Sequence, residues 1–296
     1  MIKSIAKRFY LKLFHPVALK IVRDTSQRFY DLQCEAIWTQ IKNSQFQNPK
    51  LNVMSAGYKI FSQSDEDGII QEIFNRIKFS NKIFLEVGVG NGFENNTVWL
   101  LVSGWNGIWI EANKNNYLQC VEFRKKLGEK DSVDSLRIFQ KEVKASEDFS
   151  YALDSLLELG MKKNVIDLLS IDIDSQDISI CEMILKFVKP RVIVIEYNAK
   201  FPPPISISVS KSMTKWTSDD YYGASLTYIV DKLDEYLLVG TSITGSNAFF
   251  VHKENEHLFK DVGNITDLYS PPRFYLSRCK STPSVAPLKW IFNEKI

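Results

Sequence analysis

The sequence has few cysteines and no cysteine motif. Its four cysteines are scattered over 296 residues, and no two of them are separated by only two residues. Structural zinc sites and disulfide frameworks need regularly spaced cysteines, so the pattern argues against both. The three histidines are equally dispersed and form no triad or zinc pattern. Scattered free cysteines are typical of the reducing cytoplasm, which is the location that we predict.

Long apolar runs and a surplus of one charge are also missing. No uninterrupted apolar run reaches the roughly 18 residues of a membrane-spanning helix. The 37 basic and 35 acidic residues leave a net charge of +2, which gives no reason to expect nucleic acid or an acidic partner. The hydrophobic content of 45% is ordinary for a globular protein with a packed core.

Residues 1–24 depart from this balance, with six basic side chains and one acidic one. Apolar residues recur there at helical spacing, and the basic residues interrupt the run that a signal peptide needs. One interpretation is a basic amphipathic helix resting on an anionic membrane, peripheral at the inner face. The other is a helix that packs on the rest of the chain or on a second copy in a homo-oligomer. Further helices are expected to begin at Pro16 and at Asp24 or Ser26.

From about residue 60, short apolar runs alternate with amphipathic stretches. The predicted strands are 83–87, 107–111, 137–143, 167–172 and 191–196, and the predicted helices are about 95–103, 115–127, 146–159, 176–188 and 224–236. Apolar runs without alternation predict strands buried on both faces of a parallel sheet. Residues 237–243 and 248–252 then flank a turn and predict a β-hairpin. We therefore predict an α/β fold: a Rossmann-like, doubly wound, mostly parallel seven-stranded sheet with an antiparallel terminal hairpin and N-terminal helices.

A glycine-rich segment, residues 86–92 (Glu-Val-Gly-Val-Gly-Asn-Gly), follows the first predicted strand. Glycines there allow a tight turn and close approach of a ligand to the backbone. The spacing departs from the dinucleotide fingerprint, whose third glycine would fall at Phe93. Glu86 can accept hydrogen bonds from a ligand ammonium, which S-adenosylmethionine has and NAD lacks. Glu111 ends the next predicted strand and is suited to bind ribose hydroxyls.

Acidic and amide side chains follow the fourth and fifth predicted strands. Asp172, Asp174, Glu196 and Asn198 are expected to meet at the carboxyl edge of the sheet, where ligands bind in such folds. Their oxygens suit Mg²⁺. Without a metal, Asp174 or Glu196 would accept a proton from an acceptor hydroxyl. Asp177 is expected to cap the next helix.

Residues 199–223 form an insertion that directly follows the fifth strand and should border an acceptor pocket. The insertion is rich in aromatic and proline residues, including Trp216, Tyr221 and Tyr222. Aromatic faces suit sugar rings, so the insertion favours a sugar acceptor. The alternative is an ordered surface loop whose aromatic residues fill the core.

With these motifs the chain resembles the class I S-adenosylmethionine-dependent methyltransferases over about residues 61–252. It looks more narrowly like the FkbM-type branch, which is common in polysaccharide and natural-product gene clusters. The segments that carry this likeness are 61–69 (Phe-Ser-Gln-Ser-Asp-Glu-Asp-Gly-Ile), 170–174, 195–198, 222–226 and 245–250. The resemblance implies an N-terminal helical extension (1–60), a methyltransferase domain (61–260) with the acceptor-side insertion, and a C-terminal extension (261–296).

The resemblance implies an O-methyltransferase that acts on a sugar hydroxyl of a surface glycan or its precursor. A natural-product or small-molecule O-methyltransferase and a non-catalytic partner in glycan assembly that keeps the cofactor fold are the alternatives. The predicted cofactor-binding residues are Gln63, Glu86, Gly88, Gly90, Gly92, Glu111 and Asp172. Residues 63–67 would cover the cofactor or merely cap a helix. The predicted catalytic residues are Asp174, Glu196 and Asn198, which with Asp172 also form the predicted magnesium site. The layout is similar to that of the catechol O-methyltransferase group, but Glu196-Tyr-Asn198 departs from the two adjacent ligands found there.

Overall fold

The computed structural model describes residues 2–128, 135–145, 149–210, 213 and 216–278. Three predicted features therefore fall partly or wholly outside the described residues. They are the start of the helix predicted at 146–159, part of the insertion 199–223, and the second half of the C-terminal extension, which includes Cys279.

The described chain alternates strands and helices from residue 66 onward. The strands are β1 (Ile83–Val87), β2 (Asn106–Glu111), β3 (Leu136–Gln140), β4 (Val165–Ile171), β5 (Lys189–Glu196), β6 (Tyr236–Thr241) and β7 (Asn247–His252). The α-helices are α1 (Ile2–Gln47), α2 (Asn52–Ser55), α3 (Glu66–Ile77), α4 (Val98–Val102), α5 (Lys114–Gly128), α6 (Ser150–Glu158), α7 (Asp177–Ile184), α8 (Leu226–Lys232) and α9 (Ile265–Leu268). Short 3₁₀ helices cover Pro49–Leu51, Lys253–Leu258 and Phe274–Arg278.

The strands form one sheet in the order β3-β2-β1-β4-β5-β7-β6. The first five strands are parallel to one another, whereas β7 runs antiparallel to both β5 and β6. The predicted mostly parallel seven-stranded sheet with a terminal hairpin is therefore confirmed. The strand order reverses between β1 and β4, so a ligand crevice is expected outside their carboxyl ends.

Two apolar layers cover the sheet, one on each face. Successive residues of β1 alternate between them, with Leu85 in one layer and Phe84 in the other. Every residue of β1 is buried. Strands enclosed on both faces need apolar side chains in both directions, which is why the sequence shows runs rather than alternation.

The strand predicted at 137–143 is shorter than expected, because β3 ends at Gln140. Among the described residues β3 pairs only with β2, and Gln140 lies opposite Glu111, the last residue of β2. Because β2 ends at that pair, it provides no further strand residues with which residues 141–145 could pair. Residues 141–145 leave the sheet there and border a cavity described below.

The N-terminal region is one continuous helix rather than the separate segments predicted from Pro16 and from Asp24 or Ser26. At 1.5 Å per residue the 46 residues of α1 extend about 69 Å. Helix-start signals are local, and aspartate and serine cost less than about 1 kcal/mol in a helix interior, so they need not begin a new helix. Of the described helices, none has both the length and the apolarity needed to cross a membrane.

Candidate functional site

A cavity of about 1020 Å³ lies at the carboxyl ends of β1, β2 and β4. This volume is at the upper end of the range for small-molecule and cofactor sites. Residues from the predicted motifs that line it are Gly88, Gly90, Glu111, Asp172, Asp174 and Trp216. Residues 143–145 and α7 border it on other sides. A cavity is therefore present at the place where the strand order predicted a ligand crevice.

Gly88 and Gly90 of the glycine-rich segment form the cavity's edge after β1, whereas Gly92 does not line the cavity, so its contact with a cofactor stays a prediction. Gly88 and Gly90 adopt φ values of +85° and +61°, which glycine reaches without strain. Gly88 also approaches Asp172 so closely that an added Cβ would lie 1.7 Å from the carbonyl oxygen of Asp172. Position 88 thus requires glycine for both its conformation and its neighbour.

Glu111 fixes this glycine turn from the end of β2. Its Oε2 accepts a hydrogen bond from the amide of Gly90 at 2.8 Å, and its Oε1 accepts one from the amide of Asn113 at 2.7 Å. The same carboxylate lines the cavity. The sequence predicted that Glu111 and the glycines both contact a ligand. The structure adds that Glu111 stabilises the glycine turn through its hydrogen bond with Gly90.

Glu86 lies under the turn rather than along the cavity, and only 2% of it is exposed. Its carboxylate accepts hydrogen bonds from the amide of Asn96 at 3.0 Å and the hydroxyl of Thr97 at 2.5 Å. Burial raises its pKa to about 7, although these hydrogen bonds act in the opposite direction. A contact between Glu86 and a ligand ammonium stays a prediction. The sequence did not predict that Asn96 and Thr97 hydrogen-bond to Glu86. The polar run Asn-Asn-Thr before α4 was the one feature of the sequence that could have indicated it.

Three carboxylates meet where β4 and β5 end. Oxygen atoms of Asp172, Asp174 and Glu196 all lie within 4.8 Å of one another. The paired ends of β4 and β5, with Ile171 opposite Ile195, bring them there. Asp174 has a φ of +54°, a left-handed conformation that is uncommon outside glycine and clusters at functional sites. We call these three residues the acidic cluster.

Asp177 supports the acidic cluster by holding the loop before α7. Its carboxylate accepts hydrogen bonds from the amides of Ile173 and Ser175 at 2.8 and 3.0 Å. Asp177 is itself the first residue of α7, so instead of capping the helix as predicted it stabilises the loop that precedes the helix. The sequence spacing could not distinguish a helix cap from this role, because the path of the loop determines which amides reach the Asp177 carboxylate.

Burial and mutual repulsion dominate the electrostatics of the acidic cluster. Burial, followed by the charges of neighbouring carboxylates, raises the pKa values of Asp172 and Glu196 well above their usual range. Burial also raises the pKa of Asp174. No lysine, arginine or histidine in the described part of the chain forms an ion pair with these three groups. The acidic cluster is therefore suited to accept a proton or to hold a cation.

Asn198 differs from its predicted role as a ligand beside the acidic cluster. Its amide nitrogen donates to the carbonyl oxygens of Asp220 and Tyr222 at 3.0 and 3.1 Å, and its Oδ1 accepts from the amide of Lys200 at 3.2 Å. Asn198 thus ties together the two ends of the insertion. Glu196, in contrast, has a buried Oε2 with no hydrogen-bond partner among the described residues.

The aromatic residues of the insertion occupy three different environments. Trp216 lines the cavity and packs edge-on against Tyr222, with ring centroids 5.8 Å apart. Tyr222 is buried, whereas Tyr221 is 54% exposed. Residues 211, 212, 214 and 215 lie outside the described residues. The insertion therefore borders the cavity through Trp216 and contributes Tyr222 to the core, and its role beside an acceptor stays a prediction.

The segment 61–69 organises the start of α3 rather than the cavity. Oδ2 of Asp67 accepts hydrogen bonds from the amides of Ile60, Phe61 and Ser62, and α3 begins at Glu66. The N-cap residue Asp65 makes no side-chain cap bond. Its carboxylate instead accepts hydrogen bonds from Lys42 and from the amide of Ile243. Gln63 is exposed and does not line the cavity, so its contact with a cofactor stays a prediction.

The buried acids predict how stability changes with pH. Burial raises the pKa of Glu66 and Glu86 from 4.5 to about 7 and that of Asp177 from 3.8 to about 6. The folded chain therefore keeps protons that the unfolded chain releases, and the free energy of unfolding falls between about pH 4 and pH 7. We expect a higher melting temperature at pH 5.5 than at pH 7.5 in scanning calorimetry at constant ionic strength.

Glu86→Gln is the matched variant for this pH dependence. It removes one titrating group while keeping a side chain of the same size, so it should flatten the decline in melting temperature. A melting temperature that rises from pH 5.5 to pH 7.5 in the wild-type protein would contradict the expected burial of protonated acids.

No family model matches the chain, and no curated protein sequence matches it. Among solved structures, it is similar to a SAM dependent methyltransferase from Aquifex aeolicus, with 14% identity, 62% of this chain and 88% of that chain covered, and a TM-score of 0.38. It is also similar to the glycopeptide N-methyltransferase MtfA complexed with sinefungin, with 13% identity, 64% of this chain and 87% of that chain covered, and a TM-score of 0.38. A third similar structure is an S-adenosylmethionine-dependent methyltransferase from Clostridium acetobutylicum, with 9% identity, 63% of this chain and 90% of that chain covered, and a TM-score of 0.37. Likeness at this level concerns the fold, so the functional argument rests on the site itself.

Proposed function

We propose that the protein is an S-adenosylmethionine-dependent methyltransferase whose cofactor lies in the cavity at the ends of β1, β2 and β4. One observation carries the proposal. The glycine turn and Glu111 are joined by a hydrogen bond at the cavity's edge, and the acidic cluster begins on the other side of Gly88. A nucleoside ligand is expected at this point of a doubly wound sheet.

The charge of the cavity favours this cofactor over a dinucleotide. Five acidic residues line it (Glu111, Glu142, Asp172, Asp174 and Glu182) against three lysines (Lys141, Lys144 and Lys186), which leaves an excess of two acidic groups. S-adenosylmethionine carries a positive sulfonium and a positive ammonium, and both are attracted by nearby carboxylates. The pyrophosphate of NAD would bring negative charge beside the same carboxylates. Each carboxylate oxygen has two lone pairs, so Glu111 can also accept a ribose hydroxyl while holding the amide of Gly90.

Methyl transfer needs alignment first and a proton acceptor second. A lone pair of the acceptor attacks the methyl carbon in line with sulfur, the carbon–sulfur bond breaks, and the sulfonium becomes a neutral thioether. Holding both partners in line supplies much of the acceleration. An attacking hydroxyl must also lose its proton, and Glu196 or Asp174 is the acceptor that we propose. Asp174 lines the cavity, whereas Glu196 does not. The buried Oε2 of Glu196 has no hydrogen-bond partner among the described residues, which leaves it able to take a proton.

The acceptor that we propose is a sugar hydroxyl of a surface glycan or its precursor. The exposed part of Trp216 beside the cavity supports it, because sugar rings stack on aromatic faces. The FkbM-type likeness of the sequence points the same way. A small-molecule or natural-product hydroxyl is the second candidate, since an aromatic ring stacks equally well on Trp216. A non-catalytic partner in glycan assembly would keep the cavity but would not transfer the methyl group of S-adenosylmethionine to any acceptor.

A magnesium ion fits the acidic cluster by the chemistry of its donors. Asp172, Asp174 and Glu196 offer hard carboxylate oxygens within reach of one ion, whereas the amide of Asn198 is engaged elsewhere. When bound, such an ion would lower the pKa of an acceptor hydroxyl and orient it. The metal-bound and metal-free versions use the same three carboxylates, and the sensitivity of turnover to EDTA distinguishes them.

An acceptor screen tests the proposed reaction. The full chain is incubated with methyl-labelled S-adenosylmethionine and panels of nucleotide sugars, free glycosides and phenolic small molecules. We expect label in a sugar acceptor together with release of S-adenosylhomocysteine. Transfer to phenols alone would support the second candidate, and cofactor binding without transfer to any acceptor would support the non-catalytic partner.

A further inference from the structure

Helix α1 packs on the rest of the chain along one face of its second half. The residues on this inner face are Tyr30, Cys34, Ile37, Trp38 and Ile41. They surround Ile243, in the β6–β7 turn, and Leu276. The hydroxyl of Tyr30 also donates to the carbonyl oxygen of Tyr275. α1 is therefore fixed to the body of the protein, and its opposite side is free to be covered by something else.

That opposite side carries a row of exposed apolar residues, which we call the outer stripe. It consists of Val17, Ile21, Val22, Phe29 and Leu32, which are 54–64% exposed; Leu19, also exposed at 56%, lies on the side of the inner face. At 100° per residue they fall within an arc of about 140°, centred opposite the inner face. Exposed apolar residues grouped on one side of a helix that is anchored through its second half mark an interaction surface.

The charges along α1 indicate what covers the outer stripe. Residues 1–23 contain six basic residues and no acidic one, whereas residues 24–35 contain three acidic residues and one basic residue. When two such helices run antiparallel about residues 21 and 22, residues 24–35 of one copy face residues 8–19 of the other, which include Arg8 and Lys12 and no acidic residue. A parallel pair would place like charges together. An anionic membrane would attract residues 1–23 but repel the acidic half, where Phe29 and Leu32 of the stripe lie.

We propose that the protein forms a homodimer in which the outer stripes of two α1 helices pack antiparallel about a two-fold axis near Ile21 and Val22. The same surface serves both copies, as a two-fold interface requires. The stripe residues supply the apolar seam, and the opposite charges of the two halves set the direction. The inference is independent of the proposed enzymatic activity, because the stripe lies outside the cavity.

Solution mass measurement tests the pairing. Size-exclusion chromatography with light scattering should give a dimer for the full chain. The double variant Ile21→Glu/Phe29→Glu should give a monomer with an unchanged affinity for S-adenosylhomocysteine. Leu157→Glu is the matched control, since Leu157 on α6 is equally exposed at 55%, and it should leave the dimer intact. A monomeric wild-type chain would overturn the proposal, as would a dimer that the double variant leaves unchanged.

Cysteine cross-linking tests the direction of the helices. In a Cys279→Ser background, the cysteines of the described chain (Cys34, Cys120 and Cys181) are buried. Val22→Cys should form a disulfide-linked dimer on mild oxidation. Leu32→Cys should not, because about ten residues from the axis the two copies are about 30 Å apart. Efficient linkage through Leu32→Cys would mean a parallel pair. Flotation of the wild-type protein on phosphatidylserine vesicles, lost in the double variant, would identify a membrane as the occupant instead.

Discussion

Gly88→Ala is expected to abolish S-adenosylhomocysteine binding and to destabilise the fold by about 2–5 kcal/mol. The added methyl carbon would lie 1.7 Å from the carbonyl oxygen of Asp172, which is backbone and cannot rotate away. The φ of +85° adds strain for any residue with a side chain. Relief requires β1 and β4 to separate at the cavity. Calorimetric titration and thermal unfolding measure the two losses.

Gly104→Ala is the matched control for strain alone. Gly104 has a similar φ of +80°, but an added Cβ would meet nothing within 4 Å. It also does not line the cavity. This variant should lose only about 1–2 kcal/mol and bind the ligand normally. Equal, small effects of the two substitutions would show that the close approach of Gly88 to Asp172 does not shape the site.

Asp172→Asn and Glu196→Gln are each expected to lower the rate of methyl transfer by about 10²–10⁴-fold. Either change removes a carboxylate that accepts the proton or orients the group that does. The fold should survive, because both substitutions keep the size of the side chain and relieve repulsion within the acidic cluster. Their melting temperatures at pH 7.5 should therefore equal or exceed that of the wild-type protein.

Glu182→Gln provides the control for these rates, since Glu182 also lines the cavity but lies on α7 outside the acidic cluster. Its turnover should stay near the wild-type value. Loss of wild-type activity in EDTA with recovery on adding Mg²⁺ would identify the metal-bound version, and indifference to EDTA the metal-free one. Near-normal turnover in both Asp172→Asn and Glu196→Gln would contradict a catalytic role for the cluster.

The sheet could be predicted from the sequence because its signals are local. β1 was predicted with its observed ends, since a run of buried residues between polar segments leaves little choice. The hairpin of β6 and β7 was equally clear from two apolar runs around a turn. The meeting of Asp172, Asp174 and Glu196 also followed from sequence order, because parallel strands end at one edge.

Other features depend on contacts between distant residues and could not be predicted. The amide of Asn198 is turned away from the acidic cluster by carbonyl groups more than 20 positions along the chain. Glu86 is enclosed by Asn96 and Thr97 only because the chain folds back after the glycine turn. The continuity of α1 was hidden by local start signals such as Pro16. Its packing against residues near 243 and 276, made by residues 30–41, gave no local signal either.

Titration of the wild-type protein with S-adenosylhomocysteine, beside NAD, tests the central claim most directly. The cavity's carboxylates and glycine turn are expected to favour a ligand with an ammonium group over one with a pyrophosphate. Isothermal calorimetry should therefore show one site per chain for S-adenosylhomocysteine and much weaker binding of NAD. Absent binding of S-adenosylhomocysteine, or equal affinity for the two ligands, would contradict the account.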